Sequence, residues 1–237
     1  MNILIIFVSY MENVMKEISN EEIQLVKTPV SMLKEIAPGV YLLAFTRYFD
    51  FIPGQVVAIN DGIEQSPRLY SISSGHADPE VKILFNIKED GFLTPRLSKC
   101  NAGDRILVSR PFGNFTCKEE DAWWIAAGTG IAPFVSMILS GKGKHNTLIH
   151  GGRTLNSFYF QEEIAKRMGT NYIRCCSAEH GNGVYEGRLT QYLSEQPYLP
   201  HNKKYYICGR SEMVVETRDL LINKGIPFEN ITSEIYF

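Results

Sequence analysis

The feature that most restricts the fold is a change of hydrophobic pattern part-way along the chain. From about Gln24 to Thr116 the sequence runs in short β-rich stretches, GVYLLAFTR, GQVVAIN, RLYSIS, VKILFNIK and RILVSR, broken by PG, DG, GH, DG and AGD. Runs of this length, rich in β-branched and aromatic residues and bounded by turn residues, read as strands. Their spacing predicts an antiparallel barrel or sandwich. From Trp123 onward apolar runs alternate with amphipathic ones: WWIAAG then IAPFVSMILS, TLIHGG then FYFQEEIAKRM, YIRCCSA then GRLTQYLSEQ, and KYYICG then SEMVVETRDLLINKG. Strand followed by helix, four times over, predicts a parallel sheet with helices on its faces. The charged stretch from Cys117 to Asp121 marks the joint. The expected organisation is an N-terminal extension over residues 1–21, a β domain over 22–118 and an α/β domain over 119–237.

Composition narrows the function classes. With 237 residues, 44% of them hydrophobic, the chain can bury two ordinary cores. A formal net charge of -2 argues against nucleic acid or an anionic membrane as partner. The five cysteines, Cys100, Cys117, Cys175, Cys176 and Cys208, form no C-x-x-C pair and no metal-ligand spacing. That pattern fits a reducing compartment and no structural metal, so the sequence reads as cytoplasmic. The apolar opening MNILIIFVSY is too short to span a bilayer and lacks a basic flank.

The run RLYSISS at residues 68–74 sets Arg68, Tyr70 and Ser71 together in a strand-like stretch. A guanidinium suits a phosphate, a tyrosine ring offers a flat face to a flat ligand, and a serine hydroxyl can bond a ring nitrogen. Phosphate, planar ring and ring nitrogen are the parts of a flavin dinucleotide. The alternative is an edge strand with an exposed arginine and a half-buried tyrosine. In EDGFLTPRL, residues 89–97, Gly91 opens a turn and Thr94 is a candidate N-cap ahead of Pro95. A helix start beside a dinucleotide can hold pyrophosphate; otherwise it is a capped surface helix.

Two further motifs lie in the second half. AAGTGIAPF, residues 126–134, ends an apolar strand and leads into a helix, and Gly128 and Gly130 let backbone approach a ligand at the strand's carboxyl end. It is not G-x-G-x-x-G, and a tight turn is the competing reading. YICGRSEM, residues 206–213, repeats the pattern, with Cys208 at the strand end or simply buried as a small hydrophobe. The chain closes on SEIYF, an aromatic terminus of the kind that docks.

In that order and at those intervals, RLYS, GFLTPRL, AAGTGIAPF, ICG and the terminal E-I-Y-F resemble the ferredoxin-NADP reductase superfamily, in particular the bacterial flavodoxin/ferredoxin-NADP reductases. The similarity covers residues 24–237. It implies a two-domain fold, an antiparallel six-stranded β-barrel FAD domain followed by an α/β NAD(P)-binding domain with a five-stranded parallel sheet. It further implies that Arg68, Leu69, Tyr70, Ser71, Phe92, Leu93, Thr94 and Thr129 bind FAD, with Tyr236 and Phe237 covering its rings. Phe237 stands where a tryptophan is expected in close relatives. For NADP(H) the resemblance implies Gly130, Gly152, Arg153, Ser177, Arg188, Cys208, Gly209 and Met213. Ala178 replaces an expected arginine beside the adenosine 2'-phosphate, which removes a contact worth about 1.5–3 kcal/mol and weakens the preference for NADPH over NADH.

The activity so implied is transfer of electrons between NADP(H) and ferredoxin or flavodoxin, with Ser71, Cys208 and Glu234 as catalytic residues and no metal. Lys88, Arg96, Lys99 and Arg110 are candidates for a basic rim that receives an acidic carrier. The chain is expected to be a monomer with no membrane or nucleic-acid partner. Two other readings remain: an NADH-dependent reductase of an oxygenase, a free flavin or a quinone, and a non-catalytic binding subunit on the same scaffold.

Overall fold

A computed structural model of the protein describes residues 24–63 and 66–236. The extension expected over residues 1–21 and the terminal Phe237 lie outside the described residues.

The first half forms a six-stranded antiparallel sheet: β1 (Leu25–Ala37), β2 (Val40–Thr46), β3 (Val56–Asn60), β4 (Arg68–Ser71), β5 (Glu80–Asn86) and β6 (Arg105–Ser109). Their order is β4-β3-β6-β1-β2-β5. The sheet curls until its two edges meet, at a bridge between Ile72 and Ile83 and a bond from the Ser73 amide to the Lys82 carbonyl (2.8 Å). It is therefore a barrel, and closure removes the exposed edges an open sheet would present. Phe45, Val57, Ile59, Ile83 and Val108 fill it, with Leu97 from α1 (Thr94–Leu97) closing one end.

The 13-residue β1 is missing from the sequence reading. LVKTPVSMLKEIA holds a proline and no steady alternation, because the strand changes partner half-way. Residues 25–29 pair with β6, whereas pairing with β2 begins at Val30, with a register shift before Met32. Pro29 sits at that changeover, where the ladder is already interrupted.

The second half is a six-stranded, wholly parallel sheet in the order β10-β9-β8-β7-β11-β12. Its strands are β7 (Trp123–Ala127), β8 (Thr147–Gly152), β9 (Tyr172–Cys176), the two-residue β10 (Tyr185–Glu186), β11 (Tyr205–Arg210) and β12 (Ile231–Tyr236). The main helices are α2 (Ala132–Leu139), α3 (Gln161–Met168), α4 (Leu189–Glu195) and α5 (Ser211–Asn223), one after each of the four predicted strands. The resemblance implied five strands. Two strands join the four read from the sequence: the two-residue β10, and β12, in which the SEIY of ITSEIY docks by pairing along β11.

Alternation along the strands assigns their faces. Trp124, Ala126, Tyr206 and Cys208 point to one side, and Ile125, Tyr205 and Ile207 to the other. On the first side the sheet shares a core with the barrel, since Val40, Leu84 and Phe115 pack with Trp124, Phe134 and Tyr206. Phe115 stands edge-on to both Phe134 and Tyr206, with ring centroids 5.6 Å apart in each case. No helix among the described residues is long and apolar enough to cross a membrane.

Candidate functional site

The strand order reverses between β7 and β11, since the chain runs outward from β7 through β8 and β9 and then returns to the other side of β7. Open parallel sheets bind ligands at the carboxyl ends of strands on either side of such a switch point. Here those ends carry the two predicted glycine segments. After β7 the chain makes a 3-10 turn over Gly128–Ile131 before α2 begins, so the expected direct entry into an α-helix is corrected by one turn. Gly128 has φ +58, in the left-handed region where glycine costs least. Gly130 lies directly on β11: a Cβ there would collide with the Cys208 carbonyl and the Gly209 Cα. A Cβ on Gly209 would strike Met213 of α5. Thr129 is half-buried in the same turn.

Parallel pairing sets Cys208 opposite Glu234 and Arg210 opposite Tyr236. Glu234 and Tyr236, two residues apart, share a face, and Ser71 at the end of β4 meets them from the barrel. The Ser71 hydroxyl donates to Glu234 Oε1 (2.6 Å), and the Tyr236 hydroxyl donates to Ser71 Oγ (2.6 Å). These bonds link residues 163 and 165 positions apart. Burial raises the Glu234 carboxyl to about 7 although the Ser71 hydrogen bond lowers it. Burial also pushes the Cys208 thiol well above its ordinary range, reinforced by the Glu234 charge, and raises the Tyr236 hydroxyl in the same way. At neutral pH the cluster holds a neutral thiol, a neutral phenol and a carboxyl divided between its two forms.

The predicted flavin segment lines the barrel wall beside this cluster. Arg68 is exposed and has no ion pair among the described residues. Leu69 is exposed, and Tyr70 is half-buried with its ring edge-on to Phe85 at 6.2 Å. Burial raises the Tyr70 hydroxyl above its ordinary range. Phe92 is exposed, and Leu93 packs on the barrel core. Thr94 is corrected: it is the first residue of α1, Leu93 takes the N-cap position, and no side chain caps the helix. The Thr94 hydroxyl instead accepts the Lys88 amide (2.9 Å). Because α1 has only four residues, its aligned dipoles sum to little, and a role for this segment in pyrophosphate binding rests on backbone amides and not on a helix dipole. A guanidinium with no ion pair among the described residues and a half-buried ring beside the switch point still fit a dinucleotide with a flat ring.

Arg153 and Ser177 lie side by side past the ends of β8 and β9, through bonds from the Ser177 amide to the Gly152 carbonyl (3.1 Å) and the Ala178 amide to the Arg153 carbonyl (3.0 Å). The side chains of Arg153, Ser177 and Ala178 are exposed. Arg188, at the start of α4, is already ion-paired with Glu216 of α5 (2.9 Å), whose other oxygen accepts the Thr190 hydroxyl (2.9 Å). Sequence reading missed Glu216, since nothing in a helix 28 residues farther on signals that its carboxylate meets Arg188. It also missed Tyr236 as a hydrogen-bond donor to Ser71. Arg96, one of the four rim candidates, is bound to Asp61; Lys88, Lys99 and Arg110 are exposed. Among the described residues no group of His, Cys, Asp and Glu could hold a metal ion.

Comparison with known proteins agrees with this geometry. Residues 124–219 match the oxidoreductase NAD-binding domain family. The flavodoxin/ferredoxin-NADP reductase of Escherichia coli is 30% identical over 193 residues, covering 71% of this chain and 77% of that protein. The ferredoxin-NADP reductase of Azotobacter vinelandii is 28% identical over 207 residues, 74% of this chain and 80% of that one. A crystal structure of a ferredoxin NADP+ reductase from Neisseria gonorrhoeae with bound FAD and NADP superposes with a TM-score of 0.81 at 20% identity, covering 91% of this chain and 100% of that one. Other similar proteins bear the names of an oxygenase electron transfer component, a flavohemoprotein and a dihydroorotate dehydrogenase electron transfer subunit. With two sheets in this order, the switch-point glycines and the coverage of the Escherichia coli enzyme, the chain belongs to the ferredoxin-NADP reductase superfamily.

Proposed function

We propose that the protein is an FAD-dependent reductase that passes electrons between NADP(H) and a one-electron carrier, ferredoxin or flavodoxin. The observation that carries this reading is the hydrogen-bonded group of Ser71, Glu234 and Tyr236 beside Cys208, at the place where barrel and sheet meet. Arg68 would hold the FAD diphosphate with Leu93 and Thr94, while Leu69, Tyr70, Phe92, Thr129 and the terminal aromatics line its flat parts. When bound, FAD supplies a two-electron acceptor that can release its electrons singly.

The chain's own residues supply binding and proton control. Gly130, Gly152 and Gly209, which let the strand ends and turns pack closely at the switch point, would border the dinucleotide, and Arg153, Ser177 and Arg188 would face its adenosine phosphate. Cys208, a buried neutral thiol whose backbone carbonyl lies against Gly130, and Met213 shape the nicotinamide end. Glu234 holds a proton near neutral pH, and Ser71 is the hydroxyl through which it reaches the barrel wall. Tyr236 moves aside when the nicotinamide enters. With Ala178 in place of an arginine and Glu216 on Arg188, NADPH is favoured over NADH by a small margin. Lys88, Lys99 and Arg110 offer positive charge to an acidic carrier, which makes that step salt-dependent. The domain division at residues 118 and 119 falls between β6 and β7 and is part of the same reading.

The test is anaerobic stopped-flow mixing of the FAD-loaded protein with NADPH and with NADH, followed at the flavin absorbance. Fast bleaching with a modest advantage for NADPH is expected. Equal or faster bleaching by NADH reassigns the protein as an NADH-dependent reductase, and bleaching by neither overturns the enzyme reading.

A further inference from the structure

Arg210 closes β11 and is the one exposed residue of an otherwise buried strand. Strand alternation puts its side chain on the same side of the sheet as Tyr206 and Cys208, the side that shares a core with the barrel. Its register partner on β12 is Tyr236. No carboxylate among the described residues engages the guanidinium, and no hydrogen bond holds it there.

Tyr159 shows which way that charge lies. It belongs to the segment between β8 and α3 and packs, half-buried, on the core of the same side of the sheet. Burial raises its hydroxyl, and the positive charge of Arg210 acts against that rise. The cation therefore stands near a residue that follows β8, although Arg210 itself lies on β11. Between those two strands is β7, so Arg210 and Tyr159 bracket the Gly128–Ile131 turn at its carboxyl end. The strand ends are close: a Cβ on Gly130 would strike the Gly209 Cα, and one on Gly209 would lie 3.3 Å from the Ala127 carbonyl. An uncompensated guanidinium over the end of a switch-point strand suits an anion. Arg153, Ser177 and Arg188 lie past the ends of β8, β9 and β10, and Cys208 lies at the end of β11. A dinucleotide with its adenosine phosphate at the first group and its nicotinamide at the second carries its diphosphate across the end of β7.

We propose that Arg210 binds the diphosphate of NADPH and NADH alike, and so sets affinity for the dinucleotide without choosing between the two. This rests on the nicotinamide reading of the switch point given above. Discrimination between the two dinucleotides stays with the groups past β8, β9 and β10.

The test is calorimetric titration of the FAD-loaded, full-length protein with NADP+, NAD+ and adenosine 2'-monophosphate, for wild type, Arg210→Lys and Arg210→Gln. Retained flavin and thermal melting check that each variant folds. Arg210→Gln is expected to weaken NADP+ and NAD+ by the same factor, about tenfold or more, because both carry the diphosphate. Adenosine 2'-monophosphate, which has none, should stay within about twofold of wild type, since only a screened, long-range attraction to Arg210 is left to it. Arg210→Lys should fall between, because it keeps the charge and loses the forked geometry. Unchanged constants for NADP+ and NAD+ in Arg210→Gln overturn the proposal. So does a loss confined to NADP+, which makes Arg210 a 2'-phosphate residue, or an equal loss for adenosine 2'-monophosphate, which means the whole site has shifted. A wild-type protein that binds neither dinucleotide overturns the nicotinamide reading itself, which separates the two failures.

Discussion

At Glu234 two opposing effects act on one carboxyl. Enclosure between β11 and the barrel raises its pKa, the Ser71 hydroxyl lowers it, and enclosure wins, leaving the group near 7. Its ordinary value of 4.5 in the unfolded chain makes stability depend on pH. The native state binds the proton more tightly, so this contribution is complete below about pH 4.5 and is lost as pH rises through about 7. Relative to Glu234→Gln, the wild type should therefore lose on the order of 2 kcal/mol across that window, after allowance for partial contact with water. Chemical unfolding of both proteins at pH 4 and pH 8 measures it, and a constant difference would refute the assignment. In stopped-flow mixing with NADPH, Glu234→Gln and Ser71→Ala are expected to slow flavin reduction about 10–100-fold while retaining FAD. Of Arg68, Tyr70 and Ser71, the sequence singled out Ser71 as a site hydroxyl and the structure joins it to Glu234 and Tyr236, whereas an exposed Arg68 and a half-buried Tyr70 are also what a plain strand would show. Glu216 was not legible, because its partner is chosen by the packing of α4 against α5.

Among the elements, the 3-10 turn after β7 carries the tightest constraint. Gly130 rests on the Cys208–Gly209 backbone with no space for a methyl group. Gly130→Ala must lift the turn from β11, and the expected result is a loss of about 2–4 kcal/mol in stability together with weak binding of NADPH. Thermal unfolding and equilibrium titration with NADPH check both, and a variant with native stability would show that the turn yields freely. The glycines flag such a turn in the sequence, but the reason they are needed is a neighbouring strand 78 residues later in the chain (Gly130 to Cys208). At α1 the same reasoning misplaced the cap. Thr94 looked like a side-chain cap, yet its hydroxyl had a better partner in the Lys88 amide, a contact set by how the 87–93 loop folds back.

For the whole molecule, the contact between barrel and sheet is apolar at its centre and hydrogen-bonded at its working edge. Phe115 sits in the centre, 5% exposed, against Phe134 and Tyr206. Truncating it to alanine should cost about 3–5 kcal/mol. Because Val40 and Leu84 of the barrel lose their partner too, the two halves should uncouple. Calorimetry is expected to show one transition in the wild type and two in Phe115→Ala; a single transition in the variant would mean the halves remain coupled without that ring. Loosening this contact should also slow flavin reduction, since Ser71 and Glu234 meet only while barrel and sheet stay docked.

The amino-acid sequence determined the two kinds of element and the order in which they come, an antiparallel sheet and then a parallel one, because period-2 runs and strand-helix alternation are local properties of the chain. It also offered Arg68, Tyr70 and Ser71 as candidates for phosphate- and ring-binding chemistry, a reading that stays part of the proposed function. Only the tertiary structure decided that β1 serves two partners through Pro29, that SEIY docks as a parallel strand beside β11, and that Glu234 shares a hydroxyl with Tyr236. The last of these brings together groups more than 160 residues apart, and all three draw their energies from burial and pairing that no local stretch of sequence contains.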